Sequence, residues 1–179
     1  MMRERRLTVA ELESAAAELT AGERVLLSGE IYTARDAAHK RLTAMMERGE
    51  ALPFPLEGSV IYYAGPTPAQ KGMAVGSCGP TTSGRMDPYA PRLLDGGLRA
   101  MIGKGDRSDE VIEAIRRNGA VYFAAVGGAG ALIARSILSA QVIAFEELGC
   151  ESVKRMRIKD LPLTVAIDAR GCDLYRRCG

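Results

Sequence analysis

The chain has no tryptophan, three phenylalanines, one histidine and four cysteines in 179 residues. Cys78, Cys150, Cys172 and Cys178 lie far apart or at spacings that match no CxxC pair. That argues against a zinc ribbon or a self-contained iron–sulfur site and leaves them to be read as reduced thiols, with a Cys172–Cys178 disulfide as the minor alternative. Nothing approaches the run of about 18 apolar residues that spans a bilayer. The basic opening MMRERR is followed by the polar LTVAELESAAAELTAGE rather than an apolar segment, so no secretory signal is expected and the chain reads as cytoplasmic. Excess charge of one sign is also missing. The formal net charge is +2 with acids and bases mixed, which provides no basic stripe for nucleic acid.

What is present is an aliphatic chain, 47% hydrophobic, punctuated by 20 glycines. Its length suits one domain over residues 1–179, and the pattern suits an α/β fold. Leu7, Val9, Leu12, Ala15, Ala16 and Leu19 recur at helical spacing before Gly22, predicting a short helix ahead of the first strand. RVLLSGEIYTA reads as that strand and runs into a helix from RDAAHKRLTAMMERGE that ends near Gly49, placing Arg35 at the junction. GSVIYYAGP and KGMAVGSCGP read as neighbouring strands. PRLLDGGLRAMIGKG, with Pro91 suited to a first helical turn, reads as a helix with a glycine break, leaving Lys104 just beyond it. SDEVIEAIRRNG predicts a helix from Ser108 to Gly119, AVYFAAV a strand and GGAGALIARSIL a helix; QVIAFEEL, SVKRMRIKD and LPLTVAIDARG read as the remaining strands.

The stretch GPTTSGRMD, residues 79–87, is where chemistry concentrates, and the usual acid–base residue is absent from its neighbourhood in sequence. Gly79 and Gly84 would permit close backbone approach, Pro80 would stiffen the entry, and Arg85 would offer a planar fork to a carboxylate. The other reading is a turn in which Thr81, Thr82 and Ser83 cap a following helix. Arg35-Asp36 and Lys104 have two readings as well. They are helix-end charges, or, with Arg85, cations converging on a small acidic substrate. His39, four residues after Arg35, either orients a substrate or is a satisfied structural histidine. Gly127, Gly128 and Gly130 in VGGAGAL do not form the GxGxxG of a dinucleotide loop, and close helix–strand packing is the reading they favour.

Taken in order, SGEIYTARDAAHKRL, LPFPLEGSVIYYAGP, GPTTSGRMDPYAPRLLDGGLRAMIGKG, AVYFAAVGGAGAL and LPLTVAIDARGCDLY closely resemble the β subunit of iron–sulfur class I fumarate hydratases and tartrate dehydratases. The resemblance implies a swivelling β/β/α domain and a hydro-lyase of two subunits in a hetero-oligomer. It implies that an α partner, not this chain, holds the [4Fe–4S] cluster, so no metal ligand is expected here. It implies Thr81 as the base that takes the C3 proton of malate. Arg35, Thr82, Arg85 and Lys104 would bind the dicarboxylate, with Arg85 and Lys104 also supporting the threonine. Gly84 and Asp87 look more like the fumarate branch than the tartrate branch. The alternatives are a tartrate dehydratase β subunit, which converts tartrate to oxaloacetate, and a non-catalytic anion-binding assembly module.

Overall fold

A computed structural model describes residues 3–125 and 130–176. Gly127, Gly128 and Cys178, and with Cys178 the Cys172–Cys178 pair, lie outside the described residues. Seven strands form one sheet: β1 (Glu4–Thr8), β2 (Arg24–Thr33), β3 (Val60–Tyr62), β4 (Ala100–Gly103), β5 (Val121–Ala124), β6 (Ile137–Ala144) and β7 (Val153–Ile167). Strands β1 to β5 run parallel in chain order, and β7 pairs antiparallel with both β5 and β2. The second pairing closes β2-β3-β4-β5-β7 into a small barrel, with β1 and β6 as outer strands.

Two apolar layers follow from the period of two along each strand. Val25, Leu27, Val60, Tyr62, Ala100, Ile102, Val121, Phe123, Leu163 and Val165 share one buried cluster. Their alternates Tyr32, Ile61, Tyr63, Met101, Tyr122 and Ala166 share the other, which packs on the helices. Both faces of the parallel strands are thus covered, and β3 and β4 are buried at every position. The covering elements are α2 (Asp36–Glu47), α3 (Ala90–Asp95) and α4 (Asp109–Asn118), which supply Ala38, Leu42, Leu93, Leu94, Val111 and Ile115 to that second cluster. Two smaller helices, α1 (Leu12–Ala15) and α5 (Gly130–Ala134), add Leu12 and Ile133 to the first. Helix α4 carries both of its sequence signals: Ser108 Oγ accepts from the Val111 amide, and Gly119 closes the helix at φ 62°.

Several expectations are corrected. Residues 4–8 form a strand, because β1 finds a partner in the first half of β2, and only residues 12–18 are helical. KGMAVGSCGP forms no strand; it folds as turns in which Thr67 bonds the backbone of Gly76 and Ser77. PRLLDGGLRAMIGKG is a short helix followed by strand β4, since the glycines end α3 and the apolar AMIG then inserts between β3 and β5. Lys104 therefore follows a strand rather than a helix. SVKRMRIKD and LPLTVAIDARG are one strand, bent where two residues of β7 face one of β2 between Leu27 and Gly29. At that bulge Asp160 takes φ 50° and gives its amide to Ser28 Oγ at 2.9 Å.

Candidate functional site

The carboxyl ends of the parallel strands β2, β3 and β4 lie side by side, and open parallel sheets use this edge for ligands. Arg35 follows β2 in extended conformation and starts α2. Its side chain lies against Gly65, beyond β3, where an added Cβ would come within 3.2 Å of the arginine Cδ and Nη1. GPTTSGRMD crosses the same edge. Thr81 donates its amide to Tyr63 O at 2.7 Å, and Thr82 bridges to Lys104 in parallel fashion after β4. Arg85 returns to the start of α2, where its Nε donates to Asp36 Oδ2 at 2.8 Å. The structure thus brings Arg35, Thr81, Thr82, Arg85 and Lys104 to one edge, although they come from three separate stretches of sequence.

The fixed part of the loop is Ser83. It is fully buried and has no counterpart among the expected site residues. Ser83 donates its amide to Lys104 O at 2.9 Å, while its Oγ accepts from the Lys104 amide at 3.0 Å and donates at 2.8 Å to Tyr122 OH, which in turn donates to Gly105 O at 2.9 Å. Close approach occurs on the neighbouring strand rather than at Gly84. A Cβ on Gly103 would sit 1.9 Å from Ser83 Oγ, whereas one on Gly84 meets nothing nearer than 4.0 Å. Nor do Thr81 and Thr82 act as caps: no side-chain cap bonds the turn Ser83–Met86 or helix α3. Their side chains remain half-buried and exposed, respectively.

A second anchor closes the loop from below. Asp87 accepts from Arg107 Nε at 2.7 Å and from the Ser108 amide at 2.7 Å, tying the end of GPTTSGRMD to the start of α4. Arg107 is buried, donates to Tyr63 OH at 3.1 Å, and stacks over the Tyr63 and Tyr122 rings at 5.2 and 4.8 Å. Burial works against its charge, yet Tyr63, Asp87 and Tyr122 hold its pKa above the ordinary arginine value. Nothing in the spacing of KGDRSDE marks this arginine, because its partners come from β3, β5 and the loop.

His39 is fully buried: its Nδ1–H donates to Arg35 O at 2.9 Å, its Nε2 has no hydrogen-bond partner among the described residues, and its ring meets Tyr63 edge-on at 5.3 Å. Burial, with the Arg107 charge adding, lowers its pKa to about 4, so the imidazole is neutral at ordinary pH. The cations at the edge are different in kind. Arg85 is half-exposed, Lys104 has no ion pair among the described residues, and Arg35 Nε has Glu151 Oε1 3.7 Å away. Such an edge, with two hydroxyls and three cations, suits a small anion bearing more than one carboxylate.

A family model described as Fumarase C-terminus matches residues 2–178. Fumarate hydratase 2 of Leishmania major is 41% identical over 158 residues, covering 87% of this chain and 28% of that protein. The aerobic class I fumarate hydratase of Escherichia coli (strain K12) is 39% identical over 156 residues, 86% of this chain and 28% of that protein. The chain therefore spans little more than a quarter of the length of these relatives. By contrast, the putative L(+)-tartrate dehydratase subunit beta of Methanocaldococcus jannaschii is 38% identical over 164 residues, 88% of this chain and 84% of that protein.

Proposed function

The chain belongs to the Fumarase C-terminus family, and from that premise we propose that it is the β subunit of a two-subunit fumarate hydratase. The reaction is the reversible loss of water from malate to give fumarate. The observation that carries this reading is the shared edge of β2, β3 and β4, which gathers Arg35, Thr81, Thr82, Arg85 and Lys104. Its partner is an α polypeptide corresponding to the part of the fumarate hydratases that this chain does not cover. We take the domain as the swivelling β/β/α unit that such a division of labour requires, working in a reducing cytoplasm. No described helix is long and apolar enough to cross a membrane.

The described residues of this chain do not fit a [4Fe–4S] cluster. Cys78 is buried with its thiol pushed up to about 12, and the described residues contain no group of three His, Cys, Asp or Glu side chains able to hold a metal ion. We assign the cluster to the α partner. In this chain Arg35 and Arg85 hold the two substrate carboxylates, with Thr82 beside them. Thr81 takes the C3 proton, the C3–H electron pair becomes the C2=C3 double bond, and the C2 hydroxyl departs as the oxygen of the water lost. The partner's cluster, when bound, would supply the Lewis acid for that hydroxyl. An ordinary threonine hydroxyl is a weak base, so the Lys104 ammonium and the Arg85 guanidinium must stabilise the alkoxide form of Thr81 that accepts the proton. The buried Ser83–Tyr122 bond fixes the loop, so this arrangement needs little reorganisation on binding.

The test is anaerobic co-production with the α polypeptide, followed by ultraviolet assay of fumarate from malate and of oxaloacetate from tartrate. Fumarate is the expected product, with Thr81→Ala lowering kcat by about 10²–10⁴, the usual range for a lost general base. Full turnover by the Thr81→Ala, Arg85→Ala double variant would sink the reading. A second reading, tartrate dehydration, is favoured by the archaeal β subunit, of which this chain covers 84%. Oxaloacetate without fumarate would establish it.

A further inference from the structure

Arginine carries five N–H donors in a rigid plane, and what holds one edge of that plane decides where the other edge points. Arg85 gives Nε to Asp36 Oδ2 at 2.8 Å, while Nη1 and Nη2 have no partner among the described residues. Its side chain is 53% exposed and that of Asp36 33%, so the pair sits at the surface of the candidate site. Asp36 bonds Arg85 through Oδ2, while its Oδ1 is buried without a hydrogen-bond partner among the described residues. It is the first residue of α2, where the helix dipole favours a carboxylate, and it directly follows Arg35. One dipeptide therefore carries a cation of the site and the anion that orients a second cation.

We propose that Asp36 is a positioning residue for substrate binding: it clamps Arg85 through Nε so that the terminal Nη pair faces a substrate carboxylate for a two-point contact. The inference rests on the reading of the edge as a dicarboxylate site. Without Asp36 the arginine keeps its charge but loses its fixed plane, and ordering that side chain must then be charged to the binding step. The isolated surface pair is worth little to stability. Its consequence is in recognition.

The experiment uses the two-subunit enzyme and compares wild type with Asp36→Ala, Asp36→Asn, Arg85→Ala and the Asp36→Ala, Arg85→Ala double variant. The readouts are kcat and KM for malate, the inhibition constant of a saturated four-carbon dicarboxylate, and the thermal midpoint. Asp36→Ala should raise KM and the inhibition constant about tenfold, lower kcat as well because Arg85 also supports Thr81, and leave the midpoint in place. Asp36→Asn, whose amide oxygen still accepts from Nε, should recover most of the loss. The double variant should be no worse than Arg85→Ala alone. If Arg85→Ala weakens binding while Asp36→Ala does not, or tightens it because the carboxylate was competing with substrate, the positioning role is overturned and the functional reading stands. If Arg85→Ala leaves binding intact, the dicarboxylate reading itself fails.

Discussion

Arg107 and Arg85 each donate Nε to an aspartate, at 2.7 and 2.8 Å, yet the side chain of Arg107 is 0% exposed and that of Arg85 53%. Both aspartate bonds involve the loop GPTTSGRMD: Arg85 lies within it and Asp87 ends it. The buried pair has lost its water and must be satisfied from all sides, which Tyr63 OH and the Tyr63 and Tyr122 rings accomplish. The outer pair keeps water and keeps donors free. The same chemical contact is scaffold at Asp87, where the loop ends, and an open hand at Arg85, two residues earlier.

Removing one member of the buried pair should have the largest effect. Asp87→Ala leaves Arg107 charged and unpaired in the interior and also strips the acceptor from the Ser108 amide at the start of α4. A loss of about 3–5 kcal/mol in urea unfolding is expected. A loss below about 1 kcal/mol would erase the distinction between the two pairs.

The seam between the regions is open to a pH test through His39, which bonds Arg35 O and packs on Tyr63. Its native pKa of about 4 lies below the ordinary value of 6.5. Between those values the unfolded chain binds more protons than the native one, so stability rises with pH across that window. This contribution is complete above pH ~6.5 and falls by on the order of 3 kcal/mol by pH ~4. Urea midpoints measured across that range should therefore drop on acidification, and His39→Gln should flatten the slope.

The outer pair should give the smallest effect on stability. Arg85→Ala should change unfolding free energy by less than about 1 kcal/mol, the scale of exposed ion pairs. Dicarboxylate binding by the assembled enzyme should nonetheless weaken by about 10- to 100-fold, the value of a charge-assisted bond of 1.5–3 kcal/mol. Calorimetry and urea titration of the same variant separate the two quantities. A large loss of stability with unchanged binding would reverse the assignment.

Much of this fold was legible along the chain. Strand β2, helix α2 and helix α4 carry uninterrupted periodicity and end signals such as Ser108 and Gly119, which are local and survive without tertiary context. Two of the failures share a cause. Residues 4–8 and 100–103 are short, so their state depends on whether a neighbouring strand has room for them. The site divides in the same way. Arg35, Thr81, Thr82, Arg85 and Lys104 stand in glycine-rich or element-end settings, visible as residue types at junctions and sharpened by the family resemblance.

By itself, then, the sequence determined the alternation of apolar strands and amphipathic helices, the Ser108 and Gly119 caps of α4, and the residue types gathered in GPTTSGRMD, all of which depend on neighbours a few residues away. Tertiary structure alone decided that β7 would turn back to close the barrel on β2, and that Ser83 would fill the space left by Gly103. It alone decided which arginine is buried. Arg85 and Arg107 are equally basic in the sequence, and only the packing of Tyr63, Tyr122 and Asp87 around one of them, contributed by distant strands, removes it from water.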